Sequence, residues 1–304
     1  MKYIFGPVPS RRLGLSLGVD LIPPKTCSYD CLYCQIGKTR CKAIERKAYV
    51  PEEAVIEELD EALAKVTPDY VTFSGSGEPT LHVGLGRLIA QVKEKTGARV
   101  AVLTNGSLLC RREVREELLK ADVVMPTLST VREEVFRAVH QPHGQLSLTE
   151  IIEGLRVFRE SYRGQLFTEV MLLAGLNDGP EEIEALRQVL LGIAPDRVQL
   201  NTVVRPPADA RAIPLDRKKL EDVRKVFGER AEIIAAAPIK GKQPFQGPLS
   251  AAVFEIVRRR PVTLEDVAEA LDAPVHDVEK AVTALVTEGH LYKQTHMGKS
   301  YYTG

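Results

Sequence analysis

Short apolar runs rich in β-branched residues alternate with longer amphipathic segments from the start of the chain to about residue 240. The runs predict strands at residues 17–22, 70–74, 99–104, 123–128, 166–173 and 197–203. Between them, apolar residues recur every three or four positions, which predicts helices at residues 51–65, 85–95, 113–120, 133–139, 148–159 and 180–191. Six strands separated by helices indicate βαβ units and therefore a parallel sheet.

The order of these elements predicts an α/β fold in which right-handed crossovers curl the sheet into a partial (β/α)6 barrel. Glycine and polar residues directly follow two of the strands, at residues 75–79 and at residues 105–106. Parallel sheets of this kind carry their sites at the carboxyl ends of the strands. We therefore expect the functional site at that edge of the sheet.

The pattern changes after residue 205, where a helix at 215–227 and a last short strand at 233–239 are expected. Residues 241–248 are rich in glycine, proline and polar residues, which is typical of a linker. Three helices follow, at 249–259, 263–271 and 275–288, and then a hairpin at 291–302. In the second helix, Thr263 and Asp266 have the spacing of a capping box. This layout predicts a small winged helix-turn-helix domain at 249–304, after a core domain at 1–245.

Composition narrows the class of protein. Of 304 residues, 44% are hydrophobic and 27% charged, which excludes a disordered or fibrous chain. No apolar run approaches the ~20 residues of a membrane span, and the first residues lack the apolar segment of a signal peptide. We therefore expect a cytoplasmic protein without a membrane partner.

The charge balance weighs against nucleic-acid binding without excluding it. The net charge is zero, so the chain has no general positive field to attract phosphates. From residue 249 onward there are six basic residues against eight acidic ones. This favours a protein-binding or packing role for the last domain over DNA reading, and the basic residues of the hairpin leave an RNA role open.

Three of the five cysteines fall within eight residues, as Cys27, Cys31 and Cys34. A loop with this C-x3-C-x2-C spacing can wrap three thiolates around one metal centre. Structural zinc normally takes four ligands, and Cys41 is a candidate for the fourth, so zinc stays an alternative. Fe–S clusters also take thiolate ligands, and three cysteines would leave one iron open to an exogenous ligand.

The triplet, with Tyr33 just before its third cysteine and a strand before the loop, resembles the motif of the radical SAM superfamily. The resemblance implies that the three cysteines hold a 4Fe-4S cluster. S-adenosylmethionine (SAM) would bind the fourth iron, and an electron would cleave it to methionine and a 5′-deoxyadenosyl radical that takes a hydrogen atom from a substrate. An external one-electron donor, a flavodoxin or ferredoxin, is also implied.

Residues 6–14 and 18–20 are similar to an uncharacterised branch grouped with tRNA wyosine-base synthases. Those synthases carry further cysteines upstream of the triplet, and this chain has none there, so their substrate is not transferred. The resemblance to the superfamily covers roughly residues 1 to 240.

The same resemblance implies a set of cofactor contacts. Residues 76–79 resemble its Gly-Gly-Glu motif, with serine in place of the first glycine, and the motif's backbone meets the methionine amino group. Tyr33 would pack near the adenine. The implied cofactor-binding residues are Tyr33, Ser76, Gly77, Glu78, Pro79, Thr104, Asn105, Ser129, Glu169, Gln199 and Asn201.

Several of these residues have an ordinary structural interpretation as well. Glu169, inside an apolar strand, is as consistent with a buried salt bridge as with a ligand role. Arg11 and Arg12 are candidates to hold a substrate phosphate or carboxylate, or are a solvated loop. His143 is a candidate substrate contact, although a surface loop is favoured for it and its neighbour His140.

We therefore expect a radical SAM enzyme acting on an unidentified substrate, such as a tRNA base, a peptide or a small metabolite. The alternative from another class is an Fe–S or zinc-dependent sensor that acts through the winged helix. Cleavage of SAM would favour the enzyme, and DNA binding without cleavage would favour the sensor.

Overall fold

A sheet of eight strands organises the larger part of the chain, in a computed structural model that describes residues 1–10, 12–235 and 248–304. In chain order the elements of this part are β1 (Ile4–Ser10), β2 (Gly14–Val19), β3 (Thr26–Cys27), β4 (Cys41–Lys42), α1 (Glu52–Leu63), β5 (Tyr70–Phe73), a 3-10 turn (Pro79–Leu81), α2 (Leu85–Lys95), β6 (Arg99–Thr104), α3 (Arg112–Leu118), β7 (Val123–Pro126), α4 (Glu133–His140), α5 (Leu148–Ser161), β8 (Gln165–Leu172), α6 (Pro180–Ile193), β9 (Arg197–Thr202), α7 (Arg217–Phe227) and β10 (Ala231–Ile233). The predicted helices and the six predicted strands are all present, with ends shifted by a few residues.

The strands lie in the order β1-β2-β5-β6-β7-β8-β9-β10, and every neighbouring pair after β1 is parallel. This is the parallel sheet that the βαβ pattern predicts. Strand β1 runs antiparallel to β2 and was not expected, because Pro7 and Pro9 interrupt its sequence. Proline lacks the N–H that a central strand needs, but an edge strand such as β1 tolerates it.

Apolar side chains fill both faces of the sheet. The large core lies between the outer face of the sheet and the helices, with residues such as Leu59, Leu88 and Phe158 fully buried. A second, smaller apolar cluster lies apart from this core. It consists of Leu13, just before β2, and of the strand residues Ala101, Val123, Met125 and Phe167. Burial on both faces explains why the central strands are nearly continuous apolar runs in the sequence.

The last strand of the sheet begins earlier than expected. It covers Ala231–Ile233 and pairs with β9 through Val198, Gln199 and Leu200, whereas the sequence predicted a strand at 233–239. Residues 234–235 are described and are not part of the strand, so the prediction was wrong for them. Residues 236–239 of that prediction, most of the predicted linker at 241–248 and Arg11 lie outside the described residues.

After residue 247 the chain forms α8 (Leu249–Val257), α9 (Leu264–Leu271), α10 (Val275–Thr287), β11 (Tyr292–His296) and β12 (Lys299–Thr303). We call residues 248–304 the C-terminal unit. The three helices and the antiparallel hairpin are those expected, and Thr263 and Asp266 form the capping box. The unit has its own apolar core around Val253, Val257 and Val278. Its assignment as a winged helix, and the domain boundaries, stay predictions.

Within the described residues, no helix has the length and apolar character that crossing a membrane requires.

His82 joins the 3-10 turn to the segment before α1. Its Nδ1 accepts a hydrogen bond from the Gly84 amide (2.9 Å), and its Nε2 lies 3.1 Å from the Val50 carbonyl oxygen, so Nε2 carries the proton. Burial lowers the pKa of this imidazole below its usual value. A second proton would occupy Nδ1 and break the bond from Gly84.

We therefore expect acid to destabilise the fold through His82. Because its pKa is lower in the folded than in the unfolded chain, its contribution is complete above about pH 6.5 and is lost below it, by at most ~1.4 kcal/mol per pH unit. The slope of unfolding free energy between pH 7.5 and 5.5 should flatten in His82→Gln and stay unchanged in His276→Gln, whose side chain is exposed. An equal slope in His82→Gln and the unsubstituted protein would contradict this.

Candidate active site

The loop that carries the three cysteines is anchored on the end of helix α4. The amide of Asp30 donates to the His140 carbonyl oxygen (3.0 Å), and the amide of Leu32 donates to that of Val139 (3.0 Å). These carbonyls belong to the last turn of α4, which has no helical partners for them. Leu32 belongs to this loop, and its side chain is buried in an apolar cluster that includes Val139 of α4. The helix end and the loop thus satisfy each other's backbone groups.

The thiols of Cys27, Cys31 and Cys34 are free and half-buried in this loop. Burial raises the pKa of Cys27 to about 12 and raises those of Cys31 and Cys34. The Glu78 carboxylate and then the Cys34 thiol raise the pKa of Cys27 further, and the Cys27 and Cys34 thiols raise that of Cys31. Three thiolates in this setting require a strong local positive charge, such as ligated iron supplies.

The exposure of the cysteines bears on the zinc alternative. Cys41, the candidate fourth zinc ligand, is exposed, whereas the triplet is half-buried. This difference disfavours a zinc site made of all four cysteines. Among the residues that the structure describes, no three His, Cys, Asp or Glu side chains are arranged to hold one metal ion.

His140 lies against the cysteine loop, and the expectation of a surface loop was wrong for it. The residue is buried, and its Nδ1 is 3.4 Å from Cys31 Sγ and 3.2 Å from Tyr33 Oη. Burial lowers the pKa of the imidazole to about 3, so the ring is neutral. The signal was present in the sequence, since His140 follows Phe136 and Val139 at the helical spacing of one buried face.

The glycine-rich segment after β5 packs directly on the cysteine loop. The Lys25 amide donates to the Ser76 carbonyl oxygen (2.8 Å), and the Glu78 amide donates to that of Thr26 (3.3 Å). Between them, a Cβ atom at Gly77 would overlap the Thr26 carbonyl oxygen. Glycine is therefore required at 77 by the close approach of two backbones. The segment 76–79 and the residue before Cys27 form one rigid contact.

Glu78 uses its carboxylate to join two strand ends. Oε1 accepts from the Thr80 amide and hydroxyl and from the Thr104 hydroxyl (2.6 Å), and Oε2 accepts from the Asn105 amide (2.7 Å). Burial raises the pKa of this carboxyl group, and the hydrogen bonds oppose that shift. The side chain is thus engaged in fixing the two loops, and the backbone of this segment is what remains for a ligand.

Asn105 extends the same network to the cysteine triplet. Its Nδ2 lies 3.4 Å from Cys27 Sγ and donates to Ser28 Oγ (2.8 Å). The Ser28 hydroxyl in turn lies 2.6 Å from that of Ser107. Amide hydrogen bonds to ligand sulfurs are one of the means by which proteins adjust an Fe–S centre. The turn after β6 therefore contacts the triplet directly.

A cavity of about 400 Å³ begins at the cysteine loop and runs along the inner face of the strand ends. Its lining includes Tyr33, Cys34, Glu169, Asn201 and Arg12. Glu169 forms an ion pair with Arg12 and accepts a hydrogen bond from Asn201 Nδ2 (2.9 Å). The salt bridge considered for Glu169 is therefore present, and it lies in the wall of the cavity.

Other predicted residues face elsewhere. Gln199 donates to Glu232 Oε1 (2.9 Å) and is not part of the cavity lining. The Ser129 hydroxyl accepts from the Met171 amide (3.0 Å), which ties it to β8. The His143 amide donates to the Ser28 carbonyl oxygen (2.8 Å), and its ring accepts from the Gln145 amide (3.3 Å). The structure thus gives these three side chains structural contacts.

Comparison with known proteins identifies the family of this chain. A protein-family model described as the radical SAM superfamily matches residues 21–190. A UPF0026 protein of Methanocaldococcus jannaschii is 35% identical over 312 residues, which cover 99% of this chain and 96% of that protein. A protein of Brachyspira hyodysenteriae named GTPase Obg is 36% identical over 297 residues. The match covers 96% of this chain but only 44% of that protein, so the chain spans less than half of this relative.

Among solved structures, TYW1 with a lysine-pyruvate adduct bound matches with a TM-score of 0.53 and 18% identity. The match covers 75% of this chain and 76% of that one. At this identity the comparison supports the fold, a parallel sheet with helices on its outer face.

Gly77 offers a direct test of the contact between the two loops. In Gly77→Ala, the new methyl group has to displace the Thr26 carbonyl, next to Cys27, at a cost of about 1–3 kcal/mol. We expect iron and sulfide bound after anaerobic reconstitution to fall to roughly half or less of the unsubstituted level, because the ligand loop is displaced. Gly97→Ala is the matched control, since a Cβ there meets no atom within 4 Å. Full iron binding by Gly77→Ala would contradict the interpretation.

Proposed function

The chain belongs to the radical SAM superfamily and to its UPF0026 relatives, and on this premise we propose that it binds its cluster through Cys27, Cys31 and Cys34 and cleaves SAM within the cavity at the strand ends. Members of the superfamily are enzymes that use a 4Fe-4S cluster and SAM. When bound, the cluster supplies the electron that splits SAM into methionine and a 5′-deoxyadenosyl radical, which then takes a hydrogen atom from the substrate. The observation that carries the proposal is the contact between the cysteine loop and residues 76–79.

In this proposal the chain's own residues hold and orient the reactants. The backbone of residues 76–79 receives the methionine end of SAM, with Thr104 and Asn105 beside it. Tyr33 packs near the adenine from its place in the cavity wall. Asn201 and the pair of Glu169 with Arg12 line the same space, where they orient the ribose or the substrate. A half-buried cavity keeps bulk water from a reactive radical.

The cavity has to hold SAM as well as the reacting part of a substrate, which favours a small reacting group over a large buried substrate. Its volume of about 400 Å³ is at the lower end of ordinary ligand pockets. We therefore propose that a single base, a single side chain or backbone position, or a small metabolite enters the site. The substrate classes compatible with this are a tRNA base, a peptide and a small metabolite. The sensor alternative has no support in these comparisons, because the matched family consists of enzymes.

Replacing one proposed ligand tests the function. After anaerobic reconstitution, the unsubstituted protein should bind about four irons and four sulfides, and with a reductant and SAM it should form 5′-deoxyadenosine. Cys31→Ala should lose the cluster, because only two of its three thiolate ligands remain. Product formation should then fall by at least about a hundredfold. Product is measured by chromatography, and iron by a colorimetric assay.

Cys41→Ala is the matched control for this experiment. Cys41 is exposed, so the variant should keep both its iron and its activity. Loss of metal from Cys41→Ala would revive the zinc interpretation. An unsubstituted protein that binds iron but never forms 5′-deoxyadenosine would disprove the proposed function.

We further propose that the electron comes from an acidic one-electron donor, a flavodoxin or ferredoxin, in the cytoplasm. The segment just after the triplet exposes Lys38, Arg40, Lys42 and Lys47, and Glu45 is the one acidic residue at 38–47. Lys25 lies close enough to lower the pKa of Cys34. A basic surface next to the cluster ligands attracts an acidic partner and speeds its association.

Charge reversal tests this docking surface. The combined variant Lys38→Glu, Arg40→Glu and Lys42→Glu should slow reduction by reduced flavodoxin about tenfold or more at low salt, and less at high salt. Reduction by dithionite, which needs no docking surface, should be unchanged. The control Lys218→Glu and Lys225→Glu changes charge on α7, away from the cysteine loop. Equal flavodoxin rates in all three proteins would exclude the surface.

A further inference from the structure

Three consecutive arginines directly after α8 place the C-terminal unit against the sheet and its cavity. The Arg258 guanidinium donates to the Met1 carbonyl oxygen (2.9 Å), and Arg259 donates to that of Lys2 (3.3 Å). Arg260 lines the cavity at the strand ends. From the hairpin, the Tyr301 hydroxyl donates to the Val204 carbonyl oxygen (2.7 Å). The unit therefore contacts both the edge strand region and the end of β9.

Arg259 forms an ion pair with Asp20, the residue that follows β2. Its Nη1 lies 3.2 Å from Asp20 Oδ2, and the two side chains are 19% and 7% exposed. The guanidinium also lies over the ring of Phe5, 5.1 Å from its centroid. Removal from water is unfavourable for both charges, so this ion pair is held by the packing of the two units. Both partners are mostly buried, which distinguishes the pair from an exposed ion pair of little energetic weight.

Asp20 in turn holds the start of the glycine-rich segment. The Ser76 amide lies 3.1 Å from each carboxylate oxygen, and the Ser76 hydroxyl donates to Oδ2 (2.6 Å). Gly75, with a φ of +142°, lies so close that a Cβ there would overlap the same carboxylate. The Asp20 carboxylate thus fixes both the position and the peptide orientation of residues 75–76. Arg259 is the cation that neutralises it.

These contacts form one chain of interactions from α8 to the segment 76–79. Arg259 contacts Asp20, Asp20 contacts Ser76, and the Ser76 carbonyl oxygen accepts from the Lys25 amide. Without the guanidinium, the carboxylate would keep its donors from Ser76 but would be a buried charge without a counter-ion. Rotation of the side chain toward water, which relieves that cost, breaks the bonds to Ser76.

We infer that Arg259 is a positioning residue for SAM: through Asp20 it fixes the backbone of residues 76–79, so that the C-terminal unit is a structural part of the SAM site. This inference rests on the proposed function, in which that backbone receives the methionine end of SAM. It gives the C-terminal unit a role in the enzyme itself that requires no nucleic acid.

The test compares adjacent arginines in the full-length, reconstituted protein. Arg259→Ala should weaken equilibrium SAM binding about tenfold and raise the KM for SAM similarly, with kcat for 5′-deoxyadenosine formation changed less than twofold, because the loss is in ground-state positioning. Arg259→Lys keeps the charge and should recover at least part of the affinity. Arg258 contacts Glu255 and Met1 and not Asp20. Arg258→Ala should therefore bind SAM like the unsubstituted protein.

The outcomes separate this inference from the function on which it rests. If the unsubstituted protein binds no SAM, the proposed function fails. If it binds SAM and Arg259→Ala binds equally well, the positioning role is overturned. Equal losses in Arg258→Ala and Arg259→Ala would also overturn it, since they would indicate general loosening of the unit.

A second variant covers the case in which Arg259→Ala fails to fold or to retain iron. Asp20→Asn keeps the size of the side chain and weakens both the ion pair and the bonds to Ser76. Expressed per bound iron, its SAM affinity should fall by at least about threefold. Unchanged affinity in Asp20→Asn would reject the inference.

Discussion

The close approach of two backbone segments is the constraint on which the active site depends. The residue before the first cysteine ligand and the glycine-rich segment after β5 exchange two hydrogen bonds, with Gly77 against the Thr26 carbonyl oxygen. Such an approach is possible only without a side chain at 77. Because both segments are loops at strand ends, the sheet sets their separation and the contact sets their orientation. The proposed metal ligands and the backbone proposed for SAM therefore share one frame.

Acidic side chains that are buried or half-buried complete that frame. Glu78 ties the glycine-rich segment to the turn at Asn105, Asp20 holds Ser76, and Glu169 pairs with Arg12 across the cavity. Each carboxylate has hydrogen-bond donors or a cationic partner, as a buried charge requires. The cysteine thiols also have donors, such as Asn105 at Cys27, but burial outweighs them and raises their pKa values. Bound iron, as proposed, would supply the positive charge that favours the thiolates.

The C-terminal unit has a separate apolar core and also contacts the cavity at the strand ends. It has a core of its own, centred on Val253 and Val278, and so has the means to be stable as a unit. It also places Arg259 on Asp20 and Arg260 in the wall of the cavity. Under the role proposed for Arg259, loss of this unit would change the site even though no cysteine of the triplet lies within it. Through these two arginines, the C-terminal unit contacts the site that the rest of the chain forms.

The sequence by itself determined the helices and most strands, and it predicted the metal ligands. Period-two and helical patterns are local, so they predicted the helices, the parallel strands and the capping box at Thr263. The cysteine spacing is equally local and indicated the cluster. The edge strand β1 escaped prediction because its prolines obscure a strand that only an edge tolerates.

The tertiary structure alone decided which side chains meet. Arg12 and Glu169 are 157 residues apart, and Asp20 and Arg259 are 239 apart. No periodicity connects such positions, because pairing between them depends on how the sheet and the last helices pack. The same holds for the burial of His140 against Cys31, although its helical spacing carried the hint. Local patterns specify elements, and contacts between distant elements build the site.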